Sequence, residues 1–157
     1  VSAEDVVRAL LARGETVATA ESLTAGMVTV ELTSVPGSSA VVRGGLVVYA
    51  TDLKHALAGV DGALLAEHGA VHPEVARQLA EGARERCGAT WGLGLTGVAG
   101  PDPQDGVAPG TVHIGLSGSS GSWVESLTLG GDRREVRERS AAAALDLLLA
   151  TLKIPVE

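Results

Sequence analysis

The sequence predicts an α/β fold, a three-layer α/β/α sandwich on a mixed β-sheet, formed as one domain over residues 1–157. Three observations carry that expectation. Helical and strand-like patterns alternate up to Cys87, strand-like patterns follow one another directly from Thr90, and 157 residues suffice for one layered core but not two.

Taken in order, Ser2 is placed to cap a helix whose Val6, Val7, Leu10 and Leu11 fall at helical spacing and which Gly14 closes. A short strand is expected over Thr16 to Ala20. Thr24 to Ser34 reads as a second helix, opened by the hydroxyl-rich turn at Ser22 and Thr24 and stopped before Pro36. The Gly37-Ser38-Ser39 turn leads into Val41 to Ala50, rich in β-branched residues, and Thr51 to Ala58 forms a short helix. Pro73 suits a first helical position, so Pro73 to Cys87 is expected as a long helix with Val75, Leu79 and Ala83 inward. Three strands follow, Thr90 to Thr96, Thr111 to Leu116 and Ser122 to Leu129. Asp132 then caps a last helix running to about Leu152, which turns Val136, Ala143, Leu147 and Leu148 to the core.

Composition narrows the function. The chain has no Phe, and Tyr49, Trp91 and Trp123 are its aromatic residues, so the core rests on Ala, Val and Leu and on close backbone packing. A net charge of −7 repels polyanions and leaves no extended basic face, which argues against direct nucleic-acid binding. The scarcity of rings that could stack bases argues the same way. A lone cysteine, Cys87, forms no internal disulfide. With no signal-like start and no apolar run long enough for a bilayer, a cytoplasmic protein without membrane contact is expected.

Several patterns look chemical and fail on context. Gly92, Gly94 and Gly97 satisfy G-x-G-x-x-G but lie inside a strand, with a Pro-containing loop after them instead of a helix. His68 and His72 have the spacing of two metal ligands on one helix face, yet Gly69 and Pro73 interrupt any such helix. They read as capping or surface histidines. No metal site and no cofactor are expected, and Cys87 reads as a small packed thiol.

Lys54 and Lys153 are the two lysines beside ten arginines. A desolvated lysine can lose its proton and act as a base, whereas arginine in effect cannot. Lys54 stands five residues beyond Tyr49, where a strand passes into a helix. Ser22 follows the first strand, in a turn whose backbone amides could hold an oxyanion in a chain without asparagine. On residues alone, Ser22 as a helix cap and Lys54 as a solvated surface charge is the better reading, because capping is so common. Spacing does not decide.

A resemblance does. AESLTAG at Ala20 to Gly26, VPGSSAVVRGGLVVYA at Val35 to Ala50 with Lys54 behind it, EHGAVHPEVARQLAEGARERCGA, GLTGVAGPD, GTVHIGLSG and GDRREVRE resemble, in order and spacing, the successive motifs of the CinA C-terminal domain family. The resemblance implies an α/β/α sandwich and a nicotinamide mononucleotide deamidase of the PncC type, which hydrolyses the carboxamide of that substrate and releases ammonia. It implies Ser22 as nucleophile, Lys54 as base and Tyr49 as an active-site residue. It places Ser39, Thr96, Gly97, Gly100 and an arginine among Arg133, Arg134 and Arg137 near the substrate, and it suggests a homodimer. Glu21 is expected to point away from the site or to bind ribose hydroxyls, and the turn from Thr24 to Gly26 to supply the oxyanion amides.

The chain departs from the family at Leu23 and Ala25, where Cys and Gly are common, and at Asp102 to Asp105, where a Gly-rich stretch is common. It leaves no room for the pyrophosphatase-like domain of larger members. Two rival functions remain: a non-catalytic competence-related module that binds a protein, and a Ser/Lys amidase for another small amide.

Overall fold

Residues 3–154 are described by a computed structural model of the chain. Five strands, β1 (Val17–Glu21), β2 (Val42–Val47), β3 (Trp91–Gly97), β4 (Thr111–Gly118) and β5 (Gly121–Thr128), form one sheet in the order β2-β1-β3-β4-β5. β1 pairs in parallel with β2 and β3, and β4 and β5 continue antiparallel. The sheet is mixed, as expected.

Among the described residues six α-helices cover it: α1 (Ala3–Arg13), α2 (Met27–Thr33), α3 (Thr51–Ala58), α4 (Gly62–His68), α5 (Pro73–Cys87) and α6 (Arg133–Leu152). Alternation along β1 sorts them into layers. Val17 points into a core with residues of α1, α2 and α6, whereas Ala18 and Ala20 point into a second core with residues of α3, α4 and α5. None of the described helices is long and apolar enough to cross a membrane.

The expected bounds of α3 and α5 match the structure, and the strands agree to within a few residues. Asp132 caps α6 in a reciprocal capping box with Glu135. Ser2 lies outside the described residues. Leu11, expected inward on α1, is half-exposed, and Ala143 and Leu147 of α6 are only partly buried. Two departures bear on the site. Helix α4, unanticipated, is capped by the Asp61 carboxylate, and α2 begins three residues later than expected because Ala25 and Gly26 both adopt left-handed conformations ahead of it.

The glycines of the G-x-G-x-x-G pattern have a packing role. A Cβ on Gly92 would sit 2.0 Å from the carbonyl oxygen of Ala80, one on Gly94 2.5 Å from that of Ala76, and one on Gly115 2.2 Å from that of Ala76. Helix α5 therefore rests directly on the backbone of β3 and β4. This seam explains how a chain without Phe fills its interior.

Candidate active site

β1, β2 and β3 run in one direction, so their carboxyl ends lie on one edge of the sheet, where open α/β sheets gather ligands. A cleft of about 420 Å³ opens at that edge. Its lining comes from the turn after β1 (Ser22, Leu23), the junction of β2 and α3 (Tyr49, Ala50, Thr51), the loop after β3 (Gly97 to Gly100, Asp102 to Gln104) and the start of α6 (Arg133).

Ser22 sits in a turn fixed on several sides. Its amide donates to the Leu95 carbonyl on β3 (3.1 Å), its carbonyl accepts from the Ala25 amide (3.1 Å), and the Leu23 carbonyl accepts from Nε of Arg137 (2.8 Å). Glu21 fixes the other face. Fully buried, its carboxylate accepts from the amides of Val28 and Thr29 at the start of α2 (2.9 and 3.1 Å) and from the hydroxyls of Thr24 and Thr29 (2.7 and 2.8 Å). The cap of α2 is thus this carboxylate, placed where the helix dipole favours negative charge, and not the hydroxyl of Ser22. That answers the sequence-level ambiguity at Ser22: its side chain does not cap the helix. Among the described residues, the amides of Leu23, Thr24 and Gly26 have no internal partner, whereas that of Ala25 is bonded to Ser22.

Lys54 is the largest of the fully buried side chains, 1 % exposed. Its Nζ donates to the main-chain oxygens of Val48 (2.9 Å) and Tyr49 (3.1 Å), and among the described residues no carboxylate pairs with it. Desolvation lowers its pKa from 10.5 to about 8. A neutral amine has two N–H bonds and one lone pair. With both hydrogens directed to carbonyls, the lone pair remains available as a proton acceptor.

The three arginines separate cleanly. Arg133 lines the cleft and donates to the Gly100 carbonyl (2.6 Å) and the Tyr49 hydroxyl (3.0 Å). Arg137 braces the turn after Ser22, and Arg134 is exposed and paired with Glu138.

The structure gives the other expected site residues different placements or roles. Glu21 points away from the cleft, the first of its two expected placements, because its oxygens are buried against α2. The Thr24 hydroxyl is likewise bonded to Glu21 inside the protein, leaving its amide as the group near the turn. Thr96 is 1 % exposed and donates to the Ala70 carbonyl (2.7 Å), which pins the segment before α5 to β3. Ser39 is exposed in the turn that precedes β2, at the amino end of a strand whose carboxyl end meets the cleft, so it lies at the opposite edge of the sheet. Tyr49 is in the cleft, but its hydroxyl engages Arg133; what it offers the lysine is its main-chain oxygen.

His72 caps α5 by accepting from the Glu74 amide (3.1 Å) and stacks on His68 (4.5 Å between ring centres). Cys87 is partly buried at the end of α5. Among the described residues there is no group of three or more His, Cys, Asp or Glu arranged to hold a metal ion.

Sheet order and cleft together define an α/β domain with a cleft at the carboxyl ends of three parallel strands. The family model described as CinA C-terminal domain matches residues 1–152, and the chain belongs to that family. It is 50 % identical over 148 residues to a CinA-like protein of Frankia casuarinae, covering 94 % of this chain and 34 % of that protein. It is 51 % identical over 149 residues to a CinA-like protein of Anaeromyxobacter dehalogenans, covering 94 % and 36 % respectively. The chain thus spans about a third of the length of these relatives. A crystal structure of the competence/damage inducible protein CihA from Agrobacterium tumefaciens superposes with a TM-score of 0.88 at 34 % identity, covering 97 % of this chain and 96 % of that one. A CinA superfamily protein from Klebsiella pneumoniae superposes at 0.92 with 28 % identity, covering 96 % and 94 %.

Proposed function

We propose that this domain hydrolyses the carboxamide of nicotinamide mononucleotide to nicotinic acid mononucleotide and ammonia, with Ser22 as nucleophile and Lys54 as base. The observation that carries the reading is the buried amine of Lys54, held by two main-chain oxygens and left without a counter-charge. Burying an ammonium carries a cost that a purely structural residue of the same length, such as methionine, would avoid.

In the reaction, neutral Lys54 takes the hydroxyl proton of Ser22 as Oγ attacks the carboxamide carbon. Free amides among Leu23, Thr24 and Gly26 hold the oxyanion. The tetrahedral adduct collapses, the C–N bond breaks, and the Lys54 ammonium returns its proton to the departing ammonia. Water then attacks the acyl-serine, its proton passing to Lys54 and on to the Ser22 oxygen, and the carboxylate leaves. Tyr49 supports the amine through its carbonyl and holds Arg133 with its hydroxyl, and Arg133 meets the substrate phosphate.

The test is ammonia release from a panel of pyridine nucleotides and other small amides, with Ser22→Ala as the control. Release from nicotinamide mononucleotide that Ser22→Ala abolishes is the expected result. Release from a different amide alone would point to another amidase, and no release at all would favour a non-catalytic competence-related module. Because Lys54 acts as the neutral amine, kcat/KM is expected to rise about tenfold per pH unit below a pKa of about 8 and to level off above it. A profile flat from pH 6 to 9 would count against Lys54 as the base.

The arginines give a second expected result. Arg133→Ala should raise KM for the mononucleotide by about tenfold or more, the worth of a charge-assisted hydrogen bond, and leave KM for the corresponding nucleoside unchanged. Arg134→Ala should alter neither. Equal effects on both substrates would remove Arg133 from phosphate recognition.

A further inference from the structure

Two ionised side chains line the cleft with Ser22, and they are of opposite sign: Asp102 in the loop after β3 and Arg133 at the start of α6. They do not pair with each other. Arg133 bonds to two neutral acceptors, the Gly100 carbonyl and the Tyr49 hydroxyl, and among the described residues Asp102 has neither a hydrogen bond nor an ion pair. Opposite charges that share a cleft and remain unneutralised are available to a ligand that itself carries both signs.

We propose that Asp102 is a specificity-determining residue that selects ligands with a cationic heteroaromatic ring, pairing its carboxylate with the ring charge while Arg133 takes the phosphate. The inference rests on the function proposed above, whose substrate is a pyridinium joined through ribose to a phosphate. A carboxylate beside the cationic ring lowers the energy of the bound substrate relative to a neutral ring of the same outline. It gains less from the product, whose ring keeps its positive charge but also acquires a negative one. Hydrolysis turns a neutral carboxamide into a carboxylate, and that new anion forms in a cleft already holding the Asp102 charge, which favours its departure. Asp102 is exposed and without internal partners, so exchanging it alters the charge of the cleft without removing any bond that holds the fold.

Binding isolates the effect from chemistry. In a Ser22→Ala background, dissociation constants are measured calorimetrically for nicotinamide mononucleotide and for its 1,4-dihydro form, which keeps the ribose and phosphate but has an uncharged ring. Intrinsic differences between the two rings cancel when their affinity ratio is compared with and without Asp102→Asn. For unit charges about 6 Å apart in a half-open cleft, Asp102→Asn is expected to lower the preference for the charged ring by about fivefold to tenfold. The same exchange should weaken nicotinic acid mononucleotide less than nicotinamide mononucleotide, and Asp102→Glu should restore the original ratio.

An affinity ratio unchanged by Asp102→Asn overturns the inference and leaves the proposed reaction standing if the parent chain still releases ammonia. Absence of ammonia release, with neither ligand bound, overturns both.

Discussion

Exchange of Lys54 for methionine will reduce ammonia release by about a thousandfold or more while leaving the fold almost as stable as before. On the proposed mechanism, the kinetic part follows from loss of the proton acceptor for Ser22, a contribution of about two to four orders of magnitude for a positioned base. The stability part follows from two opposing terms. Burial lowers the Lys54 pKa from 10.5 to about 8, so holding the ammonium in the folded chain at pH 7 costs on the order of 3 kcal/mol. Methionine removes that cost but leaves the carbonyls of Val48 and Tyr49 without their donor, a loss of about 1 to 1.5 kcal/mol each. The two nearly cancel. The pH dependence is more telling than the net value. The folded chain gives up this proton at lower pH than the unfolded one, so Lys54 raises stability as pH increases from about 8 to 10.5, and the methionine variant lacks that increment. Urea melts of both chains at pH 7 and pH 10 measure it. Lys54→Arg should also be inactive, since the guanidinium stays protonated. Retention of a tenth of the parent activity by either variant would exclude the amine as base.

Gly94→Ala is expected to have the largest effect on stability, about 3 kcal/mol or more. The added Cβ would stand 2.5 Å from both the Ala76 carbonyl oxygen and the Ala80 amide nitrogen, and 2.7 Å from Cβ of Leu79. None of these is the tip of a flexible side chain, so the contact can be relieved only by lifting α5 from the sheet. Gly44→Ala on the edge strand is the control. Its nearest neighbour would be Sγ of Cys87 at 3.9 Å, an ordinary contact, and the denaturation midpoint should barely change. A Gly94→Ala midpoint as high as that of Gly44→Ala would show that the seam is loose.

Much of this architecture is legible in the sequence because the signals are local. Pro73 at a helix start, Gly88 at its end and a regular apolar stripe define α5 within one segment, and Asp132 with Glu135 does the same for the start of α6. Helix α4 was missed despite a local signal, the Asp61 cap and the left-handed Gly69 at either end of Gly-Ala-Leu-Leu-Ala-Glu-His. What the sequence could not reveal is a cap that comes from seven residues upstream. The Glu21 carboxylate reaches the amides of Val28 and Thr29 across a turn of two left-handed residues, which no pattern of hydroxyl residues next to the helix discloses. The conformation carries a cost at Ala25: at φ 47°, a side chain there costs roughly 1 kcal/mol.

The candidate site was legible in a different way. Residue type singled out Lys54, which is buried behind Tyr49, and resemblance placed Ser22, Tyr49, Gly97, Gly100 and one of three arginines; of these, Ser22, Tyr49, Gly97, Gly100 and Arg133 line one cleft. Sequence could not choose among three nearly adjacent arginines on α6, because that choice depends on which side of the helix meets the loop after β3. It also could not separate Thr24 and Thr96 from the cleft, since their hydroxyls are bonded to groups that only the folded chain brings near.

Both atoms that hold the Lys54 amine are main-chain oxygens. An amine tethered by a neighbouring aspartate or serine would be set adrift by a single codon change in that neighbour, whereas peptide oxygens are present whatever side chain a position carries. Drift in the residues around the amine can therefore retune its acidity and the shape of the cleft without losing its aim, so that lineages can diversify the surroundings while the amine stays in place.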